Sequence, residues 1–190
     1  MSSVITLHGI HRICKRYGPG RLPGADRRHL GAGYAAASAA LALALAFAAG
    51  VVLLDWLGSP FGVGHVFWAA SAVVAIPIVV PTAFAVSTLI WSAFPVDGTA
   101  MGALAGGVTV AATYLGSLAV VFAIVTVGLV SGSDGSSIVA AVVDAGRFTA
   151  AIGLFAVILS GWLAVPVGCL GGAVYERVRA GAKSPAETTS

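Results

Sequence analysis

Three donor side chains near the amino terminus are of the types that bind a metal ion. His8, His11 and Cys14 are each separated by three positions, and imidazole nitrogen and thiolate sulfur are the usual ligands of zinc. On a helix, however, His8 and Cys14 diverge, and no further donor lies beside them. We therefore interpret the three residues as two surface histidines and a cysteine on an apolar helix face, and we expect no metal site.

Other reactive groups are scattered along the chain. Asp55, Asp97 and His65 border apolar runs, and a membrane enzyme built from such loop residues is the weakest of our hypotheses. Ser160 lies in the middle of an apolar run without a histidine to activate it. The sequence has neither a phosphate-binding loop nor a dinucleotide fingerprint. We therefore assign no catalytic residue, expect no cofactor and favour a protein that is not an enzyme.

Three hydroxyl side chains form a different kind of pattern. Thr109, Thr113 and Ser117 are four residues apart, so they share one face of a helix. They could line a narrow polar path for a neutral solute, or they could bond to their own backbone or a neighbouring helix. No ionisable side chain falls in the middle of an apolar run, which argues against a proton- or ion-driven antiporter built on carboxylates.

The elements that carry these residues are indicated by where charge is absent. The chain is 58% hydrophobic and 9% charged, whereas a soluble domain has about 25% charged residues. Four runs without any Asp, Glu, Lys, Arg or His are 25, 31, 36 and 28 residues long. Crossing about 30 Å of hydrocarbon takes about 20 apolar residues, so each run holds one span.

The predicted fold is an all-α integral membrane four-helix bundle. Its transmembrane domain, about 33–175, contains spans at about 33–54, 67–91, 102–130 and 148–173. Residues 136–147 between the last two spans are apolar but too short to cross. We expect them to form a separate helix on the outer surface, with a segment that dips into the bundle as the alternative.

The basic residues predict the orientation. Nine of the ten Lys and Arg side chains lie in a basic arm, residues 1–32, or a short polar tail, residues 176–190. Cytoplasmic segments carry the excess of positive charge, so both termini are predicted to be cytoplasmic, which requires an even number of spans. Richness in Ala, Gly and Arg favours the cell membrane of a prokaryote with a GC-rich genome.

The basic arm contains a candidate amphipathic helix at residues 4–17. Its polar face includes Arg12, Lys15 and Arg16, which we place among the headgroups of the cytoplasmic leaflet. The lipid bilayer is thus the expected partner. Because basic residues beside a first span are already explained by orientation, we expect no nucleic-acid binding.

Small residues and prolines predict how the spans pack. The fourth span has small residues every four positions, and the third span begins with a similar pair: Ala156, Ser160, Ala164, Gly168 and Gly172, then Gly102 and Gly106. Such stripes let helices approach closely. We favour packing between these two spans over a homo-oligomer or partner interface. Kinks are expected at Pro77, Pro81 and Pro166.

These patterns support two main hypotheses. The first is a non-enzymatic structural or accessory membrane subunit, which fits small-residue faces around an interior without charge. The alternative is a small permease or channel for a neutral solute, which fits the three prolines and the hydroxyl stripe. The residues resemble no family that would decide between them.

Overall fold

Every regular element that the structure describes is helical. The computed structural model describes residues 22–24, 27–58, 65–94, 97–132 and 137–183. Its helices, in chain order, are α1 Arg28–Trp56, α2 His65–Ala93, α3 Thr99–Ser131, α4 Ile138–Ala156, a π-helical turn Val157–Gly161, and α5 Trp162–Lys183. The predicted surface helix with Arg12, Lys15 and Arg16 and the end of the predicted polar tail lie outside these described residues.

Four helices are long and apolar enough to cross a membrane, which confirms the predicted number. They run over Arg28–Trp56, Phe67–Ala93, Thr99–Ser131 and Ile138–Ala180. Each of the four predicted spans lies inside one of them. The last, 43 residues long, combines α4, the π-helical turn and most of α5 in one continuous helix. At 1.5 Å per residue it is about 65 Å long, about twice the hydrocarbon thickness.

The prediction for residues 136–147 is wrong for the part that the structure describes. Residues 138–147 are neither a separate surface helix nor a segment that turns back, because the helix continues from Ile138 into the fourth span. Arg147 suggested a boundary, but its side chain is 78% exposed and pairs with Asp144 on the helix surface at 3.4 Å. A charge ends an apolar run without ending a helix, and this stretch contains no proline.

Consecutive helices pack against each other along small residues. A Cβ on Gly33 of α1 would lie 3.0 Å from the Phe84 ring of α2, and one on Gly116 of α3 would lie 2.8 Å from Thr82 of α2. In each pair, the missing side chain of the glycine lets the two helices approach closely. Helix α1 therefore packs on α2, and α2 packs on α3. The long last helix packs on α3, and α5 returns to α1.

Little of the bundle is enclosed. A small buried cluster consists of Ala32, Trp91 and Ala105, with Ile90 and Tyr175 packed against it. Large apolar side chains face outward instead, on every helix. This arrangement is the reverse of a soluble bundle, in which large apolar residues point inward.

The three prolines expected to kink the helices lie inside them without ending them. Pro77 and Pro81 are within α2, and Pro166 is within α5. The described departure from α geometry in the last helix is the π-helical turn Val157–Gly161, just before Pro166. Proline has no N–H and clashes with the carbonyl four residues earlier, here that of Trp162. We attribute the widened turn ahead of Trp162 to that clash.

Candidate functional site

Two helix backbones meet closely at a seam of four glycines, Gly102 and Gly106 on α3 and Gly168 and Gly172 on α5. A Cβ on Gly106 would overlap the carbonyl oxygen of Gly168, and a Cβ on Gly102 would lie 2.6 Å from the carbonyl oxygen of Gly172. Side chains at these positions would therefore push the helices apart. We call this contact the glycine seam.

The rest of the predicted stripe lies along the same helix pair. Ala164 is buried, and the Ser160 hydroxyl lies 2.6 Å from the hydroxyl of Tyr114 on α3. The Ser160 hydroxyl also lies 2.8 Å from the carbonyl oxygen of Ala156, to which it donates. Of the stripe residues of the fourth span, Ser160, Gly168 and Gly172 thus lie against α3.

The glycine seam ends at a buried carboxylate. Glu176 follows Gly172 by four residues, so it lies on the same face of α5. Its Cβ and Cγ would be 3.1 and 3.0 Å from a Cβ on Gly102. Because Gly102 has no side chain, the Cβ and Cγ atoms of Glu176 fit against α3. The Glu176 side chain is only 7% exposed.

Two arginines neutralise this carboxylate. Nη2 of Arg28, at the start of α1, lies 3.5 Å from Oε1 of Glu176, and Nη1 of Arg179 lies 3.4 Å from the same oxygen. The arginine side chains are 23% and 30% exposed. Burying a carboxylate without partners would be strongly unfavourable, so the two guanidiniums offset the cost of desolvating Glu176.

Aromatic rings cover the ion pairs. The Arg28 guanidinium lies 5.6 Å from the centre of the Trp91 ring, a cation–π distance. The Trp91 and Tyr175 rings meet edge to face with centroids 5.0 Å apart. Tyr175 also donates its hydroxyl to the carbonyl oxygen of Arg28 at 2.8 Å. These contacts tie the first helix to the last through α2.

We call this end of the bundle the charged end and define it by Arg28, Trp91, Gly102, Tyr175 and Glu176. Its arrangement closes the bundle and does not suggest a reaction centre. The Glu176 carboxylate is engaged by cations, and the Tyr175 hydroxyl is engaged by a backbone carbonyl. The site is therefore an ion-paired lock between chain segments 147 residues apart.

Sequence reasoning missed this lock. Arg28 counts there only among the basic residues of the arm that predict orientation, and Glu176 only as the residue that ends the fourth run without charge. The signal was nevertheless present, because Glu176 continues the four-residue spacing of Ala164, Gly168 and Gly172 by one further step.

Sequence reasoning also missed a stripe of small residues in the first half of the last helix. Ala141, Ala145, Thr149 and Gly153 are buried on α4 at the same four-residue spacing. A Cβ on Gly153 would meet Leu118 of α3 at 2.8 Å. Ala141 and Ala145 were missed because residues 136–147 had been assigned to a separate helix. Thr149 and Gly153 were missed because Gly153 precedes Ala156 by three residues and so falls outside its four-residue spacing.

The candidate polar path is largely bonded internally. The hydroxyl of Thr109 donates to the carbonyl oxygen of Ala105 at 2.8 Å, and that of Thr113 donates to the carbonyl oxygen of Thr109 at 2.7 Å. The Ser117 hydroxyl is buried without a hydrogen-bond partner. Self-bonded hydroxyls offer little to a passing solute. The permease hypothesis stays a prediction.

The residues of the weakest hypothesis are divided between the two ends of the bundle. Asp55 closes α1, and His65 begins α2 at the same end, which we call the opposite end. Asp97 lies just before α3, at the charged end. The 29 residues of α2 separate the two aspartates, a length of about 40 Å. The two aspartates therefore do not share a site, and the hypothesis stays a prediction for either aspartate alone.

Comparisons of the chain with protein-family models, with curated proteins and with solved structures find no match.

Proposed function

We propose that this chain is a four-span integral membrane protein that acts as a non-enzymatic structural or accessory subunit by binding another membrane protein. The observation that supports it best is the outward placement of large apolar side chains on all four long helices, for example Val74, Leu115 and Leu154. Water solvates such a surface poorly, so lipid and a partner helix are its fitting surroundings.

The face best suited to a partner lies on α1. Alanines at alternating steps of four and three residues are exposed along it: Ala35, Ala39, Ala42, Ala46 and Ala49. Small side chains let a second helix come close. Beside this face, a groove of about 850 Å³ between α1 and α2 is lined by apolar side chains such as Leu45, Val52 and Val73. The exposed alanines of α1 therefore lie next to an apolar groove.

The proposed orientation places the charged end in the cytoplasmic leaflet of a prokaryotic cell membrane. The start of α1 and the end of α5 meet there, at the Arg28–Glu176 contact. Both basic tails therefore leave the bundle at one end, as the positive-inside rule favours.

Site-specific cross-linking tests the partner proposal. In a variant with Cys14 and Cys169 replaced by serine, Ala42→Cys on α1 should form an adduct with a second polypeptide in native membranes. Ala145→Cys, at a position with 0% exposure, is the matched control and should form none. Purification as a lone monomer, with no adduct at Ala42→Cys, would contradict the proposal.

Cysteine labelling on intact cells tests the orientation. In the same background, a membrane-impermeant maleimide should label Leu57→Cys at the opposite end, where the native side chain is exposed. It should leave Ser2→Cys and Ser190→Cys unlabelled until the membrane is opened. Labelling of one terminus but not the other would exclude an even number of spans.

A further inference from the structure

The two ends of the bundle differ in net charge. At the charged end, the described side chains include four arginines and two carboxylates: Arg27, Arg28, Arg177, Arg179, Asp97 and Glu176. At the opposite end, Asp55 and Asp144 outnumber Arg147. The charged end is therefore positive within the described residues, and the opposite end is negative.

The arginines of the charged end differ in exposure. Arg28 and Arg179 are part-buried and share one oxygen of Glu176. Arg27, immediately before α1, and Arg177, beside Glu176 on α5, are both exposed. The close contact between Arg28 and Glu176 places these two exposed arginines at the same end of the bundle.

We infer that the charged end binds the phosphate group of an anionic phospholipid, with Arg27 and Arg177 as the principal donors. Guanidinium groups match phosphate oxygens in geometry and charge. The inference rests on the proposed membrane location. A phosphate held from both α1 and α5 would stabilise the closure made by the ion-paired lock.

Thermal unfolding of the full chain in a neutral maltoside detergent tests this inference. Adding phosphatidylglycerol should raise the midpoint by about 5 °C, since a ligand that binds only the folded state stabilises it. Phosphatidylcholine and inorganic phosphate should each shift it by less than about 1 °C. The phosphate arm separates a lipid site from a site for free anions.

Two variants locate the effect. The combined Arg27→Gln and Arg177→Gln variant should lose most of the phosphatidylglycerol shift, measured against its own midpoint without lipid. Arg147→Gln, at the opposite end, should keep the full shift. An equal shift with phosphatidylcholine or with inorganic phosphate, or a full shift in the double variant, would overturn the inference. None of these results depends on a protein partner, so failure here leaves the cross-linking test of the proposed function untouched.

Discussion

The charged end and the opposite end of the bundle are held together by different means. At the charged end, three helices meet at Glu176 through ion pairs, aromatic rings and a backbone contact between glycines. At the opposite end, Trp56 is 86% exposed. The ion pair described there, Asp144 with Arg147, is local to one helix and exposed. One end joins distant parts of the chain, and the other leaves its apolar surface open.

This difference has a physical reason in the proposed environment. Lipid tails are as apolar as leucine, so helices in a bilayer gain little from hiding apolar side chains from lipid. They associate through close packing and polar contacts, and the glycine seam and the ion-paired lock supply these at the charged end. In the opposite half of α1, Ala46, Ala49 and Val52 are exposed, and this is the face that we propose for a partner.

The largest expected effect is the loss of the lock. Glu176→Ala removes the buried carboxylate that Arg28 and Arg179 share, and breaking a buried ion pair in this way costs about 4 kcal/mol. The measurement is the free energy of unfolding in maltoside micelles titrated with sodium dodecyl sulfate. Asp144→Ala breaks the exposed pair of the opposite end and should cost less than about 0.5 kcal/mol. Equal losses in the two variants would remove the distinction between the ends.

The next effect compares two tryptophans. Trp91 is 5% exposed and packs against Tyr175 and the Arg28 guanidinium. Trp91→Ala opens a cavity and should cost about 3 kcal/mol in the same titration. Trp56→Ala removes an exposed ring and should stay within about 0.5 kcal/mol of the wild-type protein. A large loss for Trp56→Ala would mean that the opposite end is packed more firmly than its exposure indicates.

A third prediction uses neighbouring glycines on α5. A Cβ on Gly172 would overlap the carbonyl oxygen of Gly102, whereas one on Gly171 would meet nothing within 4 Å. Gly172→Ala should therefore destabilise the protein by about 2 kcal/mol. Gly171→Ala should stabilise it by up to about 1 kcal/mol, since alanine favours helices over glycine. The free energy of unfolding of both variants, measured by the same titration, tests this prediction. Changes of the same sign in the two variants would argue against a close glycine seam.

Much of this architecture could be predicted from patterns along the chain, and the rest could not for identifiable reasons. Long runs without charge predicted four apolar helices, because length and hydropathy are local properties. The extent of the fourth helix was missed, because Arg147 was treated as a boundary although an exposed charge is compatible with a continuous helix.

The lock shows a second limit of sequence reasoning. The pairing of Arg28 with Glu176 joins opposite ends of the chain, and only the packing of α1 against α5 brings them together. Spacing alone places Glu176 on the face of Gly172, but it cannot identify the partner across the bundle. The same holds for Tyr114 and Ser160, which are 46 residues apart.

The smallest expected effect lies between the two ends, at that pair of hydroxyls. Tyr114→Phe and Ser160→Ala each remove a partner from a 2.6 Å contact between α3 and the last helix. Hydrogen bonds between helices in a bilayer contribute about 0.6 kcal/mol on average. After Tyr114 is replaced, the Ser160 hydroxyl still donates to the carbonyl oxygen of Ala156, so it keeps a hydrogen-bond partner. A double-mutant cycle should give a coupling of about 0.6 kcal/mol. A coupling as large as the loss in Glu176→Ala would move the main closure of the bundle from the charged end to its middle.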